Sequence, residues 1–189
     1  TNPDLHFEMH DNVAVVRLSR AAKRNALNDA LVLALRDVFA TLPGHARAAV
    51  LHAQGEHFCA GLDLSELQSR DAGDGMLHSR MWHQAFQHIQ FGSVPVVAAL
   101  QGAVVGGGLE LAASCHIRVA DESTFYALPE GSRGIFVGGG GAVRIPKLIG
   151  VARMTDMMMT GRVYNAVEGE RIGFAQYLVP QGTAYDNCL

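Results

Sequence analysis

Gly106-Gly107-Gly108-Leu109-Glu110 puts three residues without side chains where a helix is predicted to begin. The unpaired N–H groups and positive dipole end of such a position suit an anionic oxygen. With Gly107 in the first turn, Glu110 follows three residues later on the same helix face, so a hydrogen-bond donor and a carboxylate serve one small volume. That combination could stabilise an oxyanion and move a proton beside it. Standing alone, the same run reads more readily as a glycine hinge whose first-turn glutamate complements the dipole.

Two further segments offer chemistry. His57-Phe58-Cys59-Ala60-Gly61-Leu62-Asp63-Leu64 places small residues after a predicted strand, where a backbone N–H can approach a ligand, and Ala60 is the candidate second donor. Asp63 also suits a cap for a following helix. Glu130 lies between Pro129, which fixes the backbone, and Gly131, which frees it, so its carboxylate can be aimed. A loop glutamate is ordinarily solvated. Sharing an apolar pocket with Glu110, however, it would form a pair whose pKa values are driven apart, one acid and one base near neutral pH.

Other motifs fail. The glycines at 138–141 lack the spacing of a dinucleotide fingerprint, and no Gly-Lys-Ser/Thr of a phosphate loop is present. His78, His83 and His88 are five apart, about 140° around a helix, so they do not share a face as metal ligands; they read as scattered polar and packing residues. Cys59 has no histidine identifiable as its base and reads as a buried thiol. Met154, Met157, Met158 and Met159 read as core or subunit-contact residues.

Elements that must position these residues follow from periodicity. Strands are predicted at 13–19, 48–53, 94–100 and 116–120. Asn28 caps a helix with Leu31, Leu35, Val38 and Leu42 on one face, ended by Pro43-Gly44, and Leu77, Met81, Trp82, Ala85, Phe86 and Ile89 trace a second. Strands linked through helices must run parallel, which predicts an α/β domain with a mostly parallel sheet and sites beyond its strand ends. The chain has 189 residues, 49% hydrophobic and 17% charged, enough to bury one sizeable core without staples.

Lys+Arg 15 against Asp+Glu 18 leaves a net charge of −3 with no basic block, which argues against nucleic acid. Three widely spaced cysteines, Cys59, Cys115 and Cys188, fit a reducing compartment. The apolar stretch 94–100 is too short to span a bilayer, and the first residues carry no signal pattern, so a cytoplasmic protein is expected, with no membrane partner.

Arg24-Asn25-Ala26-Leu27-Asn28, the 57–64 segment, the run 104–115 and Ala127-Leu128-Pro129-Glu130-Gly131, followed by 144–150 and a Thr-Gly-Arg turn at 160–162, together resemble the crotonase, or enoyl-CoA hydratase/isomerase, superfamily. The resemblance spans nearly the whole chain. It implies a single crotonase-like (ClpP/crotonase) domain over 1–189, an α/β spiral of repeated ββα units, stopping short of the family's C-terminal helices. By the same resemblance, the N–H groups of Ala60 and Gly107 would form an oxyanion hole for an acyl-CoA thioester. Glu110 and Glu130 would be the catalytic carboxylates. Arg24, Ala26 and the backbone of Ala60, Gly61, Leu62 and Asp63 would receive the CoA, with Arg24 meeting a phosphate.

The activity so implied is addition of water to a 2-enoyl-CoA, with CoA as part of the substrate, no permanent cofactor or metal, and a homotrimer or homohexamer. Isomerase, other acyl-CoA hydrolase or lyase chemistry, and a non-catalytic binding role are the alternatives. Where many family hydratases carry Pro-Gly and then Gly-Gly-Thr, this chain has Phe136-Val137 and four glycines, which puts the acyl wall and substrate choice in question.

Overall fold

The computed structural model describes residues 2–66 and 71–189. A hairpin opens the chain: β1 (Leu5–His10) pairs antiparallel with β2 (Val13–Leu18) through a turn in which Asp11 is left-handed. Asn28 then caps α1 (Asp29–Ala40), its side chain accepting from Leu31 N–H at 2.8 Å as its position in the sequence predicts. Leu31 and Leu35 are buried. The helix stops at Ala40, so Leu42 packs on the core from beyond its end.

β3 (Ala48–Ala53) leads, through the site loop, to α2 (Ala72–Gln90), which buries Trp82, Ala85, Phe86 and Ile89. Leu77 departs from expectation and is exposed. It precedes Trp82 by five residues, about 140° around the helix, so an apolar stripe that includes both cannot face one core.

β4 (Val96–Leu100), β5 (Ala103–Val105), α3 (Gly107–Ser114), β6 (Ile117–Asp121) and β7 (Phe125–Ala127) follow. Then come α4 (Gly141–Ile149), α5 (Val151–Thr160), β8 (Tyr164–Asn165), α6 (Ala166–Ile172) and β9 (Tyr177–Val179). The larger sheet has the order β1-β2-β3-β4-β6-β9 and is parallel throughout except for the first hairpin. The smaller runs β5-β7-β8. The predicted parallel sheet is therefore present, and its central strands are apolar runs rather than alternating ones because both faces are covered: in β2, Ala14, Val15 and Val16 are all buried.

α3 is buried on every side, which explains its lack of a polar face. It approaches the loop before it so closely that a Cβ on Gly108 would collide with the Cys59 carbonyl. Its C-terminal carbonyls are met by the buried Arg118, whose Nη1 donates to Cys115 O at 2.6 Å and whose Nε donates to Phe174 O at 2.6 Å. A cation at this end complements the dipole. The opposite end of the helix is left for chemistry.

Candidate active site

Three chain crossings converge at the N-terminus of α3. The first is the 57–64 loop, threaded between two partners: Leu27 N–H donates to Gly61 O at 2.7 Å and Asp63 N–H to Leu27 O at 2.8 Å, while Cys59 N–H donates to Ala103 O at 2.9 Å. This register decides which amides are spent. Ala60 N–H donates to Arg24 O at 3.0 Å, so the predicted donor is already satisfied within the fold. Two residues on, Leu62 N–H has no hydrogen-bond partner among the described residues, and neither has Gly107 N–H. A Cβ built on Gly107 would lie 3.5 Å from Leu62 N and 3.0 Å from the Trp82 ring. The donor beside Gly107 is therefore Leu62, and the assignment to Ala60 is corrected by two residues.

Gly61 makes this approach possible. Its φ of +96° is disfavoured for other residues, and a Cβ there would stand 2.9 Å from Val105 O and 3.3 Å from Gly107 N.

Glu110, one turn into α3, is the second crossing. Its Oε1 accepts from Gly139 N–H at 2.8 Å and Gly141 N–H at 2.7 Å, so the glycine run is the carboxylate's cradle at the start of α4. Burial pushes its pKa up to about 7, with the neighbouring Glu130 adding to the rise and the two amide donors opposing it. Glu130 is the third crossing, just before a short 3₁₀ turn at Gly131–Arg133. It is buried, its Oε2 has no partner among the described residues, and burial raises its pKa as well. A Cβ on Gly106 would lie 2.5 Å from its Oε1, which keeps Gly106 a glycine. Both carboxyls are thus raised, Glu110 into the range where it titrates near neutral pH.

Two cavities meet here. One, about 360 Å³, is bordered by Leu62, Gly107, Glu110, Glu130, Trp82 and Phe136. The other, about 440 Å³, shares Leu62, Glu130 and Ile135 with it and brings together Arg24, Ala26, Ala60, Gly61 and Asp63 with Lys23 and Arg133, two residues that no sequence motif marks. Their basic character was the available signal.

The Asp63 carboxylate itself is turned away toward its own loop. It accepts from the Ser65 hydroxyl and N–H and pairs with Arg20 at 2.7 Å, and these donors hold its pKa at about 2. Its role is to fix the loop rather than to reach a ligand. Arg24 and Asn25 are both left-handed, held so by Asn25, whose buried side chain accepts from Arg20 N–H and donates to Gln54 O and His57 O.

Cys59 is wholly buried, its thiol pushed up to about 12, in keeping with a packing role. His78, read from sequence as a scattered polar residue, instead borders the first cavity and bonds Asp29 Oδ1 through Nε2 at 2.7 Å. Among the described residues no cluster of three or more His, Cys, Asp or Glu side chains is placed to hold a metal ion, and no helix is long and apolar enough to cross a membrane.

Comparison with known proteins agrees with this architecture. A Rhodopseudomonas palustris CGA009 protein assigned as an enoyl-CoA hydratase is 60% identical and superposes with a TM-score of 0.95 over 97% of this chain and 71% of its own. The enoyl-CoA hydratase from Bacillus anthracis is 30% identical, with a TM-score of 0.90 over 98% of this chain and 73% of that one. The fold is accordingly the α/β crotonase fold. The fatty acid oxidation complex subunit alpha of Shewanella amazonensis is 38% identical over 143 residues, 74% of this chain but only 20% of that protein, so the chain spans about a fifth of such relatives. The family model for enoyl-CoA hydratase/isomerase matches residues 8–189, and the chain belongs to the enoyl-CoA hydratase/isomerase family.

Proposed function

We propose that the chain hydrates a 2-enoyl-CoA thioester, and the observation that carries this reading is the meeting of two buried carboxyls with two partnerless amides where the cavities join. The thioester oxygen accepts from Leu62 N–H and Gly107 N–H, which stabilise the negative charge it gains as water adds to the β-carbon; one such donor is worth about 3 kcal/mol of barrier. Glu110 and Glu130 hold the water between them, one taking its proton as the oxygen attacks and the other delivering a proton to the α-carbon. They titrate as a pair. Two carboxyls raised by burial suit a reaction that needs one proton on the pair at neutral pH.

The CoA lies along the second cavity, whose rim of Lys23, Arg24 and Arg133 suits its phosphates, and the acyl group enters the first. CoA is then part of the substrate, with no resident cofactor. The protein associates with copies of itself as a trimer or hexamer, a reading supported by the exposed Val151, Met159, Val163 and Val167 on neighbouring elements of the C-terminal third.

The test is the absorbance of the conjugated thioester across a panel of 2-enoyl-CoA esters. Loss of the enoyl band with the wild type, and its persistence with Glu110→Gln, is the expected result. A shift of the double bond without uptake of water would replace hydration by isomerisation, and full activity in both Glu110→Gln and Glu130→Gln would end the two-carboxyl mechanism.

A further inference from the structure

The cavity beyond the two amides holds a polar device that hydration does not use. α2 presents Gly75, His78, Ser79 and Trp82 to it, spaced at i, i+3, i+4 and i+7 and so on one face. The Trp82 indole spans this wall. Its benzo edge stands against Gly107, where a Cβ would be 3.0 Å from Cζ3, and its Nε1 donates to Asp29 Oδ1 at 3.2 Å. His78 shares that carboxylate oxygen, so the imidazole lies at the far end of the indole from the reacting carbonyl.

The chemistry of the ring follows from its partner. A carboxylate taking a hydrogen bond from the indole N–H is an acceptor, so His78 Nε2 carries the hydrogen that faces Asp29, and Nδ1 is the ring nitrogen left for a further partner. Nδ1 has no hydrogen-bond partner among the described residues. Ser79 cannot serve in its place as a donor, since its hydroxyl is given to Gly138 O at 2.6 Å. Ile135 and Phe136, which also line this cavity, are apolar.

We propose that His78 is a specificity-determining residue, selecting acyl groups long enough to pass Trp82 and bearing a hydroxyl at their far end. This rests on the acyl-CoA reading above and names the substrate class for the same site. A hydroxyl, which can both donate and accept, pairs with Nδ1 where a methyl would leave the nitrogen unpaired, and that asymmetry is the source of the preference. Short acyl groups end beside the indole and never reach the imidazole.

The test is calorimetric titration of the purified protein with saturated thioesters, which bind without reacting: octanoyl-CoA against 8-hydroxyoctanoyl-CoA, and butanoyl-CoA against 4-hydroxybutanoyl-CoA. The long hydroxy ester is expected to bind at least about tenfold tighter than its plain partner, with no such gain for the short pair. In His78→Phe the long-chain preference should vanish or invert. Equal or weaker binding of the long hydroxy ester by the wild type overturns the proposal, as does a gain of the same size in the short pair. A preference that survives in His78→Phe overturns it too. The wild-type measurements decide the matter even where that variant does not fold. The two readings fail separately: hydration of plain 2-octenoyl-CoA without a hydroxyl preference sinks only this inference, and a hydroxyl preference without loss of the enoyl band sinks only the hydratase reading.

Discussion

Gly141 N–H donates to Glu110 Oε1 at 2.7 Å, and a Cβ on Gly141 would stand 2.7 Å from Glu110 Cγ and 2.8 Å from that same oxygen. The first residue of α4 and the glutamate of α3 thus have no room between them for a methyl group. Gly141→Ala should push the carboxylate out of register while leaving the sheet intact. The expected outcome is a fall in kcat of about 10²-fold with a circular dichroism spectrum like that of the wild type. Unchanged turnover in a folded Gly141→Ala would show that the placement of Glu110 does not matter to the reaction.

Glu110 also ties stability to pH. Its folded pKa of about 7 lies above the ordinary carboxyl value of 4.5, so between those values the folded state holds more protons than the unfolded one and stability falls as pH rises. Glu110→Gln removes the ionisation and keeps an oxygen for the two glycine amides. It should abolish hydration and yet be more stable than the wild type at pH 8, by roughly 3 kcal/mol at most and with a correspondingly higher Tm, with the gap closing toward pH 4. Thermal unfolding across that range reads it directly; a gap that widens toward acid would contradict the raised pKa.

The amides at the centre of the site are tested by Gly107→Ala. The new Cβ would meet the Trp82 ring at 3.0 Å and crowd the space over Leu62 N, where the thioester oxygen is proposed to bind. Loss of one effective donor corresponds to about 10²–10³-fold in kcat. Ala60→Gly serves as the control, because Ala60 N–H is spent on Arg24 O and its substitution should cost much less.

How far the sequence speaks for itself differs from residue to residue. Asn28, the buried stripe of α1 and the four strands β2, β3, β4 and β6 are legible because capping, burial and periodicity are local consequences of composition, whereas β1, β5, β7, β8 and β9, and the exposure of Leu77, are not. Glu110 and Glu130 were legible once four segments were taken together. The choice between Ala60 and Leu62 was not, because it depends on hydrogen-bond register: Leu27 on one side and Ala103 on the other fix which amides of the 57–64 loop turn inward, and neither partner is near it in the chain. His78 was missed for a related reason. Its five-residue spacing from His83 gives no shared helix face, whereas the partner that gives His78 its place, Asp29, lies on a different helix.

The rim of the second cavity yields the last prediction. Arg24 is held left-handed by the buried Asn25, and Arg133 closes the 3₁₀ turn that begins next to Glu130, so two cations from distant segments border the chamber assigned to CoA. Neither borders the cavity proposed to receive the acyl group. Substitution of either by alanine should therefore weaken binding without altering the chemical step, raising KM several-fold at low salt with kcat nearly constant. Charges at such a rim are screened, so the difference from the wild type should shrink as ionic strength rises. Steady-state kinetics at two salt concentrations separate the cases: a matching fall in kcat, or a KM effect indifferent to salt, would mean that these arginines support the loop rather than meet a phosphate.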